Sequence, residues 1–356
     1  MKRLLMITPA RPAGAVGGRE QLSALHERCL NELLGDGFAV HRLQPSPPTG
    51  LRGTMAALAG SIDGVTAASI RDVLELIAND GVDELWLDGS NLGRLAAAVR
   101  RGAPGVTIST FAHNVEARFF LGGLRHRPGP RALAVLIANL AAERLAVRHS
   151  DRLIVLSERD STLLHRLYGS PASNLLPMAI DDAGIATDRG TAPGEGLLFV
   201  GGAFYANLAG MRWFANKVAP QLEMRTTVVG RGFEAYRREF EASGTIDIVG
   251  GVADLAPWYA AARAVIAPIF DGSGMKTKVA EALMHGKRVI GSPEAFIGYE
   301  RLNVGVRCIT QKDFIAAIRT LSAHPPPGFD PALRALYKEH FSPQALRREL
   351  KKIIGV

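Results

Sequence analysis

Short apolar, β-branched runs alternate with amphipathic segments from one end of the chain to the other. That alternation is the pattern of parallel strands joined by crossover helices, and it predicts an α/β protein. In the first half the strand candidates are Arg3–Thr8, Phe38–Leu43, Glu84–Asp88, Val106–Phe111, Arg152–Leu156 and Leu175–Met178. Between the first two, Leu22, Leu25, Cys29, Leu33 and Leu34 recur at helical spacing, which predicts a helix over Arg19–Leu34 stopped by Gly35. Ser157 followed by Asp160 has the form of a capping box that opens a helix toward Leu167.

The polar stretch DDAGIATDRGTAPGEG, residues 181–196, then breaks the alternation and reads as a linker. The pattern resumes with strand candidates at Leu197–Val200, Thr226–Val229, Asp247–Val249, Ala264–Ile269, Arg288–Ile290 and Val306–Ile309. HPPPG at 324–328 closes this half, and SPQALRRELKKII from Ser342 is a terminal amphipathic helix. The expected organisation is a domain over 1–180, the linker, a second domain over 197–335 and a helical segment over 336–356. No short repeat or low-complexity tract interrupts it.

A chain of 356 residues suits about two domains, and 47% hydrophobic with 21% charged residues excludes a long disordered chain. Cys29 and Cys308 lie far apart, which argues against a zinc ribbon, a redox pair or a disulfide framework and makes a reducing, cytoplasmic setting the default. The opening run meets Pro9 too soon for a signal segment. The apolar stretch Ala132–Val147 is broken by Asn139, Glu143 and Arg144 and falls short of the roughly 20 residues of a membrane span. The net charge of +8 permits an anionic partner: nucleic acid, a nucleotide diphosphate or an acidic membrane surface. The cations are dispersed and no aromatic-rich recognition motif accompanies them, so nucleic acid is the least supported of the three.

The first strand-to-helix junction, PARPAGAVGGRE, carries Gly14, Gly17 and Gly18, which let backbone approach a phosphate or sugar at a helix N-terminus. The alternative is a tight turn with no ligand. A dinucleotide site would place an acid at the end of the second strand, and FAVHRLQPS has none, which disfavours NAD. The segment PIFDGSGMKTKVAEALMHGKRVIGS, Pro268–Ser292, reads as a strand, a turn through Asp271, Gly272, Ser273 and Gly274, a helix and a second strand. Backbone N–H groups near Met275 and Lys276 would there cradle a phosphate. Lys276 and Lys278 at a helix N-terminus oppose the dipole unless an anion binds. Glu281, three residues on, could accept hydrogen bonds from ribose hydroxyls, or could form a surface ion pair with Lys278 or His285. In STFAHNVEARFF, His113, Asn114 and Glu116 fall just beyond a strand end, where open α/β sheets bind ligands. No second His or Cys stands at ligand spacing and no Asp-x-Asp pair occurs, so no metal site is expected.

Taken in order, GAVGG, FAHNVEARFF, SDRLIVLSERD with NLLPMAID, FVGGAFYANLAGMRWF and IDIVGGVADLAPWYAAARAVIAPIFDGSGMKTKVAEAL resemble the retaining glycosyltransferases of family 4 over nearly the whole chain. The resemblance implies the GT-B fold: two facing Rossmann-like domains, a donor site in the cleft between them and a C-terminal helix crossing back to the first. It implies that Gly17 and Gly18 approach the donor phosphates or the acceptor, that His113 lies beside the donor sugar, and that Asp271 lies near the sugar hydroxyls. Gly274, Met275 and Lys276 would offer backbone to the diphosphate, Lys278 its charge, and Glu281 would hold the ribose. The stretch Val249–Ala253, Val252 within it, with Gly230 and Arg231 would flank the nucleobase through backbone contacts, and Asn207 would line the cleft. Two departures stand out. Ser273 occupies the position, eight residues before the ribose Glu, where the family commonly has a Glu. The loop GGAFYANLAG lacks the cations the family often supplies there, leaving Lys278, with help from Lys276 or Arg231, to stabilise the leaving diphosphate.

The implied activity is retaining transfer of a sugar from a nucleotide diphosphate sugar, with no further cofactor, to a saccharide or lipid-linked acceptor in surface polysaccharide biosynthesis. Rival readings are a sugar-nucleotide epimerase and a non-catalytic nucleotide-sugar-binding protein of the same fold. Arg118, Phe119, Phe120, Leu121, Arg125, His126, Arg127 and Arg131 form an acid-free stretch that reads as a contact for an acceptor or for anionic lipid headgroups on the inner face of the plasma membrane, or else as a solvated loop and helix start.

Overall fold

The computed structural model describes residues 2–10, 17–183 and 194–356. Gly14 of the first loop therefore lies outside the described residues, as does most of the expected linker.

The strands are β1 Leu4–Pro9, β2 Phe38–Leu43, β3 Glu84–Asp88, β4 Thr107–Ala112, β5 Arg152–Val155, β6 Asn174–Leu175, β7 Leu197–Val200, β8 Thr226–Val229, β9 Ile246–Gly250, β10 Ala264–Ala267, β11 Val289–Gly291 and β12 Gly305–Arg307. They form two parallel six-stranded sheets, ordered β2-β1-β3-β4-β5-β6 and β12-β11-β10-β7-β8-β9. Every strand predicted from the apolar runs is present. The differences lie at the ends and follow from proline and exposure. Pro268 has no N–H to extend the ladder, so β10 stops at Ala267 rather than Ile269, and Pro177 likewise follows a β6 of only two residues. The last strand stops at Arg307, and Ile309, expected within it, is exposed.

Two compact units result: residues through Met178 together with Leu346–Val356, and Ala179–Ala345. In the first, Leu5, Ile7, Leu85 and Leu87 pack with Val73 and Ile77 of the helix Ala67–Asp80 and with Leu92, Leu95 and Val99. That helix and Gly50–Leu58 are not assigned by the sequence reading. The first helix spans Gly18–Leu34 and ends where Gly35 takes φ +53, as the glycine predicts. The Ser157 side chain accepts from Asp160 N to open the helix Glu158–Tyr168. In the last helix, Pro343–Ile354, Arg347 pairs with Glu32 at 3.0 Å and the Ile354 carbonyl accepts from Lys2. In the second unit, Arg334 grips Asp182 through two bonds of 2.7 Å and Tyr337 donates to the Ile180 carbonyl at 3.0 Å, so the helix Pro331–His340 anchors the chain entering that unit.

The helix Gly93–Gly102 lies so close to Pro130–His149 that a Cβ on Gly93 would overlap the Ala142 carbonyl and Ala146 nitrogen. Gly123, by contrast, sits inside the helix Glu116–His126 with nothing within 4 Å of an added Cβ. Overpacking of a tight contact costs about 1–3 kcal/mol, and Gly→Ala in an open helix interior gains about 0.5–1 kcal/mol. Thermal denaturation should therefore show a midpoint lowered by several degrees in Gly93→Ala and unchanged or raised in Gly123→Ala.

Candidate functional site

The second sheet reverses direction between β7 and β10. The chain builds outward from β7 through β8 and β9, then returns to the opposite side with β10, and crevices of this kind at the carboxyl ends of parallel strands are where open α/β sheets bind ligands. Gly201 follows β7 with φ +148, and a Cβ there would lie 2.7 Å from Asn207 Nδ2 and 3.2 Å from Lys278 Nζ, so glycine is required by both backbone and space. Gly210 lets the helix Tyr205–Trp213 rest on the Pro268 carbonyl, which brings Asn207 to the β10 side of the crevice.

Lys278, in the first turn of the helix Thr277–Met284, is buried under this crevice. Its ammonium donates to Asn207 Oδ1 at 2.9 Å and stands 4.0 Å from the centroid of the Phe199 ring, while Asn207 Nδ2 donates to the Gly202 carbonyl at 2.7 Å. One hydrogen bond among the described residues leaves two of its three donors unspent. Burial pulls the Lys278 pKa down to about 7; the Glu281 carboxylate opposes that fall and the Lys276 charge adds to it. The Glu281 carboxylate accepts from the Tyr259 hydroxyl at 2.9 Å, and burial raises its pKa. The His285 ring stacks flat on Tyr259 at 4.3 Å.

Lys276, expected to offer backbone to a diphosphate, has its side chain held within the loop. Its side chain turns back onto the carbonyls of Ser273 and Gly274, at 3.3 and 2.9 Å, and lies 3.6 Å from Glu294, so it closes its own loop. The helix proper begins at Thr277, with Lys276 as N-cap. In that loop Gly272 and Gly274 adopt φ +118 and +64, Asp271 Oδ1 accepts from Gly272 N at 2.7 Å, and Met275 is buried. The neighbouring loops are joined to this one's partners: Ala203 N donates to the Arg231 carbonyl at 2.9 Å and Gly230 N to the Gly250 carbonyl at 2.7 Å. Glu234 accepts from Gly251 N at 2.8 Å and from Gly232 N at 2.6 Å. The Arg231 side chain lies over Gly251, and Val252 is half-buried beside it.

The first sheet has its own reversal between β1 and β3. There Asp88, at the end of β3, accepts from Thr8 Oγ1 at 2.7 Å and from His113 Nε2 at 2.7 Å. All three are buried. Burial lowers the His113 pKa against the opposing pull of Asp88; burial would raise Asp88, but its interactions with His113, Thr8 and Arg19 outweigh that and hold its pKa below the usual carboxylate range. A cavity of about 120 Å³ opens beside them, lined by Thr8, Arg19, Glu20, Ser23, Asp63 and Asp88. His113, expected from the sequence, is brought together with Asp88 and with Ser23, at 3.3 Å, both of which line the cavity. Asp88 is the last residue of a predicted strand, a position that could have marked it. Gly17 is the N-cap of the first helix and Gly18 its first residue. Glu116 is buried, its pKa pushed up to about 7 by desolvation, and Glu143 accepts from the backbone N–H of Glu116 and Ala117 at 2.8 and 3.2 Å, capping the helix Glu116–His126. Arg118, Phe119 and Phe120 thus lie half-buried on a helix, while Arg125 and Arg127 are exposed.

Residues 194–324 match the family model described as glycosyl transferases group 1. No curated protein sequence shows a significant match. Among solved structures, Anabaena HepE in complex with UDP and glucose is similar over the whole of both chains, with 14% identity and a TM-score of 0.66. The lipopolysaccharide outer core galactosyltransferase WaaB in its apo form is 12% identical over 99% of each chain, with a TM-score of 0.63. A glycosyltransferase from Rickettsia africae is 11% identical over 99% of this chain and 97% of its own, with a TM-score of 0.66. The chain thus has the GT-B fold, and its residues 194–324 are similar to the group 1 glycosyl transferases.

Proposed function

We propose that the chain transfers a sugar from a nucleoside diphosphate sugar to a saccharide or lipid-linked acceptor, with retention at the anomeric carbon, in surface polysaccharide biosynthesis. The observation that carries this reading is the buried Lys278 ammonium, fixed by Asn207 at the β7/β10 reversal and, among the described residues, holding two unspent donors. A group so placed meets negative charge as it develops, which is where an electrostatic contact accelerates a reaction. HepE, described in complexes with UDP and with UDP-glucose, and the galactosyltransferase WaaB make UDP-hexoses the first donors to test.

In this reading the bond between the anomeric carbon and the diphosphate oxygen breaks, and the departing diphosphate gains charge beside Lys278 and the first-turn amides of Thr277–Met284. The acceptor hydroxyl attacks on the face the diphosphate leaves, and its proton passes to the departing phosphate oxygen. Glu281, oriented by Tyr259, accepts from the ribose hydroxyls. Gly274, Met275 and Lys276 contribute backbone, and Gly230, Arg231 and Val252 flank the base. Ser273 and Asp271 approach the sugar. In the other unit, Gly17 and Gly18 leave room at the helix start, and His113 acts through Asp88 as a positioning residue.

Incubation with UDP-glucose, UDP-galactose and their GDP and ADP counterparts, with an acceptor saccharide mixture, should release one nucleoside diphosphate above the rest and give a product whose anomeric configuration by NMR matches the donor. Lys278→Ala should lower turnover about 10²–10³-fold, the loss of one preorganised donor to a developing anion. Turnover near that of the wild type, or an inverted product, would contradict the proposal.

A further inference from the structure

The loop that joins β10 to the helix Thr277–Met284 is gripped from one side. The sheet order places β11 on one flank of β10 and β7 on the other, and Lys278 reaches Asn207, in the helix that follows β7. Three contacts on Met275 and Lys276 come instead from the chain leaving β11. Glu294, in the short turn Pro293–Phe296, lies 3.6 Å from the Lys276 ammonium, and the two side chains are only 10% and 11% exposed. The Tyr299 hydroxyl donates to the Lys276 carbonyl at 3.1 Å. Met275 packs so closely on Gly298 that a Cβ there would lie 2.5 Å from its sulfur.

Lys276 passes this hold on to the backbone. Its ammonium donates to the carbonyls of Ser273 and Gly274, at 3.3 and 2.9 Å. Both peptides are trans, and a trans peptide points its N–H opposite to its C=O. With the two carbonyls turned toward Lys276, the N–H groups of the same peptides, on Gly274 and Met275, are turned away from it. Gly274 takes φ +64, and a left-handed residue in such a turn aims successive N–H groups into one concavity that suits an anion. An ammonium shared among a carboxylate and two carbonyls has its charge compensated and its donors committed. It acts on an anion through the backbone it holds.

We propose that Lys276 is a positioning residue for the diphosphate: anchored by Glu294 on the β11 side, it draws the Ser273 and Gly274 carbonyls to itself and so aims the Gly274 N–H at the phosphate that Lys278 meets from the β7 side. The proposal rests on the donor reading above for its ligand, whereas the grip on the carbonyls is a property of the ligand-free loop. The two lysines have separate tasks, Lys278 supplying charge and Lys276 the shape of the cradle.

The test uses the full chain made with serine labelled at its carbonyl carbon and glycine at its nitrogen. Only Ser243–Gly244 and Ser273–Gly274 are Ser-Gly pairs, so a carbonyl-to-amide correlation spectrum holds two signals, the first an internal control. Without ligand, K276M should move the Ser273 carbonyl signal and leave that of Ser243 in place. UDP should shift the Gly274 amide proton downfield in the wild type and not in K276M, and K276M should bind UDP about tenfold more weakly, as loss of one hydrogen bond to a charged group requires. E294Q separates a grip on the backbone from a direct charge. Released from its carboxylate, an ammonium that itself attracts the diphosphate would bind UDP more tightly, whereas a loosened grip binds it more weakly. A Ser273 signal unmoved by K276M, UDP affinity unchanged in K276M, or tighter UDP binding in E294Q would overturn the proposal. Cooperative unfolding of both variants ensures that a lost signal is not a lost fold. Because the Ser273 signal is read without ligand, the grip stands or falls by itself, and absence of UDP binding to the wild type is a failure of the proposed transfer.

Discussion

The strand reversal of the second unit is organised around the buried Lys278 ammonium. An ammonium removed from water must be compensated or neutralised, and for Lys278 the compensation is partial: one hydrogen bond from its Nζ to Asn207, the face of Phe199, and the field of Glu281 nearby. The surrounding features follow from holding that group in place. Gly201 is bare because a side chain would occupy the space of Asn207 and Lys278, Gly210 is bare so that the helix carrying Asn207 can lie on the chain leaving β10, and Tyr259 fixes Glu281 one turn along from Lys278.

The two units solve the same problem in related ways. Each parallel sheet reverses its strand order once near its middle, and each reversal gathers buried polar groups at the carboxyl ends of the strands. In the second unit the gathered set is cationic, with Lys278 at its centre; in the first it is anionic, with Asp88 held by Thr8 and His113 and with Glu20 and Asp63 lining the same cavity. A diphosphate suits the former, and a neutral hydroxyl-bearing group, able to donate to carboxylates and accept from Arg19, suits the latter.

Much of this is legible in the chain because apolar runs and glycines carry local information. The twelve strands follow from runs such as LLMIT and AVIA, and the helix stop at Gly35 from a residue that tolerates φ > 0. The phosphate-directed role proposed for the Pro268–Ser292 segment rests on spacing that sequence preserves. What sequence conceals is partnership across long separations. Lys278 and Asn207 are 71 residues apart, Tyr259 and Glu281 are 22, and Asp88 and His113 are 25. Lys276 and Lys278 look equivalent two positions apart, yet one closes its own loop and the other is buried, a difference decided by which side of the helix start each occupies. The helix Ala67–Asp80 escapes notice because only Val73 and Ile77 of its face are fully buried.

The central claim is that Lys278 is the receptor for a diphosphate, and proton linkage tests it without any acceptor. With a pKa of about 7, Lys278 is mostly neutral in the free protein at pH 8, whereas a bound diphosphate favours its charged form and raises that pKa. Calorimetry of UDP binding at pH 8 in two buffers of different ionisation enthalpy should report net proton uptake on binding, as a group titrating near 7 and charged in the complex requires. Lys278→Met should abolish that uptake. Binding with no proton uptake, or with the same uptake in the variant, would contradict the account.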